Sequence, residues 1–393
     1  MPRQRLRFSA FMFTYYAYAG IFATYATLYF AAHGLSVAQI GMLASLIPVM
    51  RIFGPNLWGW VADHTRQRAL VLRLTACGAF AAFCAMFAAD TFADYFVVMV
   101  AVNLFASAQS PLSEALMLSE MRGDLSNYGK IRLWGSLGFI VAVFGGGYLL
   151  EWFGVEALLW ISAGTLLLVI GAALRISDPA PMPAGQDQGQ ERAPAPALWS
   201  VLRQPEVGAF FLSAALMVAA HMALYAFYSL FLERAGYSKP VIGAMWALGV
   251  VAEVVFFYYQ GHVFARVTAE RIMLAAFALA VLRFALTGAW PNLAWVLVLA
   301  QLMHAASFAA HHSACVITMQ RWFAGPLQAS GQALYMSVAY GVGGTGGGLL
   351  MTLCWDRIGP QQMHYVAAAL AALGAAAAAY SFRLRSSGAA LPT

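Results

Sequence analysis

Long apolar runs set apart by short polar breaks account for almost the whole chain. Runs of membrane-spanning length fall at 8–30, 37–61, 70–89, 94–119, 131–150, 154–175, 206–232, 238–261, 271–289, 293–318, 327–353 and 361–382. Lipid offers backbone N–H and C=O groups no partner, so such segments are expected to be helices. The pattern predicts an all-α membrane protein with twelve transmembrane helices. One long polar stretch, Ser177 to Gln204, contains DPAPMPAGQDQGQERAPAP and is expected to be a disordered linker. It would divide the chain into an N-terminal six-helix half (1–176), a cytoplasmic linker (177–204) and a C-terminal six-helix half (205–393).

Composition agrees with the pattern. The 393 residues are 62% hydrophobic and 10% charged, against roughly 25% charged in a soluble domain. The net charge of +6 is spread over short loops rather than one face, so it gives no nucleic-acid signal. Arg3, Arg5 and Arg7 precede the first apolar run, which has no small-residue cleavage site and is read as a span rather than a signal peptide. With the N-terminus in the cytoplasm, 16 of the 22 basic residues fall on the cytoplasmic side and three on the other. That bias fits the positive-inside rule and places both termini in the cytoplasm, in an inner membrane. Cys77, Cys84, Cys315 and Cys354 form no CxxC pair and are expected to be small buried hydrophobes.

The two halves also match each other. At an offset of 202 positions Gly34 meets Gly236, Ser36 meets Ser238, Ile40-Gly41 meets Ile242-Gly243, Gly59 meets Gly261 and Gly129 meets Gly331. Gly145-Gly146-Gly147 and Gly346-Gly347-Gly348 fall in corresponding spans. An even number of spans per half makes these parallel repeats, whose substrate site lies near the membrane midplane. The same offset relates Arg51 to Glu253.

Three basic residues lie within or at the edge of spans, Arg51, Arg132 and Arg283, together with Glu114, Glu253, His221, His304, His311 and His312. Ionisable groups at such depth need a partner or a water-filled cavity and default to functional sites. A buried carboxylate beside a movable cation is what proton coupling requires. Glu114 and Arg132 also fit a static ion pair, and His221 fits an interhelical polar contact. His311 and His312 point to different helix faces, which disfavours joint metal ligation. Aromatic residues gather on corresponding spans, Tyr15, Tyr16, Tyr18 and Tyr25 in one half, Tyr225, Phe227 and Tyr228 in the other, with Trp134 beside Arg132. No Walker loop, GxSxG motif or metal-ligand cluster is present, so no enzyme, cofactor or metal is expected.

The stretches GLSVAQIGMLASL, RIFGPNLWGWVAD, YGKIRLWGSLGFI, HMALYAFYSLFL, GYSKPVIGAMWALGVVAE and QLMHAASF together resemble the major facilitator superfamily over essentially the whole chain. The resemblance is to its phenylpropionate-permease-like and nucleoside–proton symporter-like group, and more distantly to the lactose-permease-type oligosaccharide–proton symporters. It implies that Glu114 and Arg132 are the pair that holds a sugar there, and that Phe139 stands where those proteins stack an aromatic on the substrate. It further implies that Glu253, Arg283 and His304 are the carboxylate, arginine and histidine of spans eight, nine and ten. Those symporters carry a proton-bearing Glu three residues after the histidine; here that position is Ser307. In the loop after span two, Gly59, Asp63 and Arg68 match the superfamily's gating signature, while His64, Arg66 and Gln67 depart from it.

These readings give an alternating-access secondary transporter that works as a monomer, with proton-coupled uptake of a small organic solute. An aromatic carboxylate is favoured, since Arg51 and Arg132 are suited to a carboxylate and Tyr and Trp surfaces to a ring. Substrate contacts are expected from Arg51, Glu114, Arg132, Trp134, Phe139, His221 and Tyr225, and proton coupling from Glu253, Arg283 and His304. Sugar or nucleoside symport and efflux of hydrophobic compounds are the alternative transport readings, and a non-transporting membrane sensor is the alternative of another class.

Overall fold

A computed structural model describes residues 2–121, 125–178, 195–323 and 325–388, and among these there is no strand. All twelve expected spans are helical. In chain order they are α1 (Pro2–Ala32), α2 (Val37–Thr65), α3 (Arg68–Ala88), α4 (Phe92–Glu120), α5 (Leu125–Phe153) and α6 (Ala157–Ala173). There follow α7 (Pro205–Arg234), α8 (Lys239–Phe264), α9 (Ala269–Ala289), α10 (Ala294–Trp322), α11 (328–358) and α12 (Pro360–Gly388). Among the described residues nine helices are long and apolar enough to cross a membrane by length and composition; α1, α6 and α11 complete the twelve.

The ends of these helices follow local chemistry. Ser36 caps α2 and Thr91 caps α4, each in a reciprocal capping box with the residue three positions on. Gly34 and Gly236 both take positive φ, 77° and 88°. Around them Leu35 N–H donates to the Phe30 carbonyl, and Tyr237 N–H to the Leu232 carbonyl, at 3.1 and 3.0 Å. This glycine-terminated helix end is repeated at the same 202-residue offset, so the internal repeat extends to backbone geometry.

Three helices are interrupted. α4 turns at Ser107–Ala108, where Pro111 has no N–H to continue the ladder. α10 and α11 each contain a π-helical segment, Ala305–Ala310 and Met336–Gly343, a form that recurs at functional sites. Within the expected linker, 179–194 lies outside the described residues, and the remainder is not all irregular. Ala195–Leu202 is a short helix, because ALWSVL is an apolar run rather than a continuation of the Pro- and Gln-rich stretch.

Contacts gather the chain into two compact units. The first is Met1–Pro181 with Tyr225–Val251, the second Met182–Leu224 with Ala252–Thr393. In the first, α5 lies against α1 through glycine. A side chain at Gly138 would run into the Phe13 backbone, and one at Gly135 into the Tyr16 ring. The second unit repeats the device between α11 and α7, with Gly343 against Ala215 and Gly347 against Ala219. Phe13 and Ala215 are themselves 202 positions apart. Close backbone approach through small residues is how helices associate where lipid is as apolar as a side chain. Of the four cysteines, Cys315 and Cys354 are buried, but Cys77 and Cys84 are exposed. Apolar composition placed these two in a helix and did not tell the face that packs from the face left for lipid.

Candidate functional site

The break in α4 directs its second segment, Gln109–Glu120, so that Glu114 meets α5. Its Oε1 accepts from the Ser110 hydroxyl at 3.1 Å and lies 3.6 Å from Nε of Arg132. The Arg132 guanidinium stands 4.7 Å from the centroid of the Tyr16 ring, a cation–π distance. Arg51 is exposed on α2. The first unit therefore sets the Glu114–Arg132 pair beside two edge-on tyrosines, Tyr15 and Tyr16, whose rings are 5.1 Å apart.

Of the other expected contact residues, Trp134 is exposed. Phe139 lies across Gly20, where only the lack of a side chain leaves room for the ring. Tyr225 is stacked on Trp246 at 6.5 Å, and Trp246 donates to the Ser229 hydroxyl at 2.9 Å. In the gating loop Arg66 takes φ 52° and ends α2. The Arg68 side chain folds back to Asp63 at 3.4 Å, beside a cavity of about 160 Å³ lined by Trp58, Gly59 and Pro111.

The second unit holds a buried network. Nη1 of Arg283 donates to Nδ1 of His304 at 2.9 Å and to the Ser307 hydroxyl oxygen at 3.1 Å, and lies 3.3 Å from Nε2 of His221. On the far side of the His304 ring, Nε2 is 2.8 Å from Oε1 of Glu253. His221, Arg283, His304 and Ser307 are at most 4% exposed. The partners fix the tautomers. Arginine has no acceptor, so the His304 nitrogen facing it is unprotonated and the proton sits on Nε2, toward Glu253. His221 Nδ1 faces the Met217 carbonyl at 2.9 Å, so it carries the proton and Nε2 accepts. Both imidazoles are neutral in this arrangement. One of them separates the Glu253 carboxylate from the Arg283 guanidinium, so the two charges are balanced through a ring rather than in contact. Taking one charge of such a set away is strongly unfavourable at this depth.

Arg51 and Glu253, related by the repeat, have different settings: Arg51 is exposed on α2, and Glu253 lies against His304. The ionisable residues singled out in the sequence meet in two clusters, Glu114 with Arg132 and Glu253 with His304, Arg283 and His221, whereas Ser110 was not singled out. Ser110 was legible as an i, i+4 partner of Glu114 on one helix face. Ser307, read as a missing carboxylate, is an acceptor for Arg283. His311 and His312 do diverge: His311 edges Phe277 and lies 3.7 Å from the Cys315 sulfur, whereas His312 faces α11. Among the described residues no group of three His, Cys, Asp or Glu side chains is placed to hold a metal ion.

A helical bundle of two repeats with charged groups held inside its spans defines a membrane carrier. The model of the family described as "MFS_1 like family" matches residues 5–366, and the chain belongs to that family of transporters. It is 30% identical over 333 residues to a "Probable 3-phenylpropionic acid transporter" of Escherichia coli, covering 84% of this chain and 85% of that protein. It is 28% identical to a maltose permease of Geobacillus stearothermophilus, over 79% of this chain and 77% of the permease. Among solved structures it is similar to the nucleoside transporter NupG, with a TM-score of 0.83 and 17% identity, covering 96% of this chain and 99% of that one. The protein is thus a multi-pass membrane transporter of small molecules and not an enzyme.

Proposed function

We propose that this transporter takes up a small aromatic carboxylate together with protons, by alternating access of two six-helix halves, 1–176 and 205–393, in the cytoplasmic membrane. The observation that carries the substrate class is the charge around Tyr15 and Tyr16. The Arg132 guanidinium lies over the Tyr16 ring beside Glu114, and with Arg51 on α2 of the same unit the cations outnumber this anion, which favours an anionic substrate. Rings beside Arg132 suit an aromatic body. The relative named for 3-phenylpropionic acid supports the same class. Proton coupling is assigned to Glu253, Arg283 and His304. Protonating Glu253 would remove the anion that balances Arg283 through the His304 ring, so the proton state of one carboxyl and the position of one cation are linked.

Maltose symport is the second reading. It is favoured by the Glu114–Arg132 pair, which offers donors and acceptors to hydroxyl groups, and by the identity to a maltose permease.

Purified protein in liposomes with an internal pH dye tests both. 3-Phenylpropionate, maltose and uridine are added singly, beside empty liposomes and a Glu114→Ala protein, since weak acids cross bilayers unaided. Protein-dependent acidification with 3-phenylpropionate alone is expected. Acidification with maltose alone overturns the substrate class. Uptake of any of the three without acidification overturns the coupling. Glu253→Gln is expected to lower proton-driven accumulation at least tenfold and counterflow exchange less than twofold.

A further inference from the structure

A second cluster lies along α10, outside the contacts described so far. His304, Phe308 and His312 follow one another at four-residue spacing, across and just beyond the π-helical segment Ala305–Ala310. Their rings form a stack: His304 and Phe308 are 5.3 Å apart at 11°, Phe308 and His312 6.3 Å apart at 12°. At one end His304 belongs to the Glu253 and Arg283 network. At the other, Nδ1 of His312 is 3.1 Å from the Tyr335 hydroxyl and 3.0 Å from the Tyr340 hydroxyl. Those tyrosines flank and occupy the π segment of α11, their rings at 90° to each other. Exposure rises along the stack. His304 is 4% exposed, while Phe308, His312 and Tyr340 are half-buried.

From this placement we infer that the stack is a gated proton path, with His312 as its outer station and Phe308 as the gate. The inference rests on the proton-coupled reading and names where the proton leaves. The His312 imidazole can take up a proton; the phenyl ring between it and the Glu253–His304 pair can neither donate nor accept one. When Phe308 swings aside and admits water, the Glu253 carboxyl gives up its proton and becomes a carboxylate. The proton crosses the admitted water to the His312 imidazole, which becomes an imidazolium. His312 then releases it to water at the Trp322 end of α10 and returns to neutral, with nothing oxidised or reduced. Glu253, Arg283 and His221 come to His304 from α8, α9 and α7. Tyr335 and Tyr340 come to His312 from α11, with His311 beside it on its own helix. The phenols suit a station because each accepts from a protonated Nδ1 and donates to a neutral one. The π segments supply the freedom to move, since a π bulge is a local widening that relaxes within the helix.

The test needs no solute. Liposomes carrying the protein and a pH dye are given a potassium diffusion potential, and proton entry is followed. The wild-type protein is expected to be tight and Phe308→Ala to leak at least fivefold faster. Phe308→Leu, apolar and nearly as large, is expected to stay tight. His312→Gln placed in the Phe308→Ala protein is expected to bring the leak back to within twofold of wild type. A tight Phe308→Ala protein, or a leak indifferent to His312→Gln, overturns the path. Should Phe308→Ala fail to elute as a folded species, Phe308→Val carries the same comparison. Because the leak is read without solute, its failure is distinct from that of coupled uptake, which is judged from solute-driven acidification of the wild-type protein.

Discussion

Hydrogen-bond partners give two buried histidines opposite protonation. His221 holds its proton on Nδ1 for a backbone carbonyl, and His304 holds its own on Nε2 for Glu253. Nitrogen-15 NMR of histidine-labelled protein is expected to show one resonance pattern of each kind, with Glu253→Gln perturbing that of His304 and leaving that of His221. A charged imidazole at either position would contradict the network. What was readable in advance at this scale was charge. Glu253, Arg283 and His304 stand out because ionisable groups are rare in apolar runs. Ser307 and Tyr16 do not, since serine and tyrosine are common in such helices and only the fold shows which of them meets an arginine.

Among the elements, helix positions were legible throughout, because a lipid-spanning segment has a fixed minimal length and no alternative to helix. Interruptions were legible only where a residue enforces them. Pro111 marks the turn in α4, while nothing in AASFAA or MSVAYGVG announces a π segment. Nor did the apolar pattern tell the exposed face of α3, carrying Cys77 and Cys84, from a packed one. The glycine contacts make a prediction at this scale. Gly138→Val sets a side chain against the Phe13 backbone and is expected to destabilise the protein by about 1–3 kcal/mol, the usual range for overpacking. Gly145→Val, two turns further along α5 with open space before it, is expected to be nearly neutral. Thermal unfolding of the two proteins in detergent makes the comparison, and equal losses would remove the close approach as the cause.

The whole molecule carries its orientation in its basic residues. If the positive-inside bias read from the sequence sets the orientation, a green fluorescent protein joined after Thr393 is expected to fluoresce. Alkaline phosphatase joined within the α7–α8 connection, near Gly236, is expected to be active. The reverse result would invert the topology and with it the direction assigned to the proton path. The parallel repeat was visible in glycines spaced by 202 residues, and two of them proved to end helices in the same way. The grouping of Tyr225–Val251 with the first six helices was not visible, since it depends on packing and not on pattern.

One phenol within that grouping bridges three helices. The Tyr25 hydroxyl donates to the Val143 carbonyl at 2.7 Å and lies 3.4 Å from the Lys239 carbonyl. Gly147 and Gly243 leave the room it occupies. It thereby ties α1 to α5 and to the start of α8, across the sequence repeat. Any motion that draws α8 off α1 must first break this contact, and a hydrogen bond of this sort contributes about 0.5–1.5 kcal/mol net. That is roughly a 2- to 12-fold bias in the equilibrium between drawn-together and separated forms. If the transporter works by alternating access, the balance between its two postures would depend in part on this single phenolic oxygen.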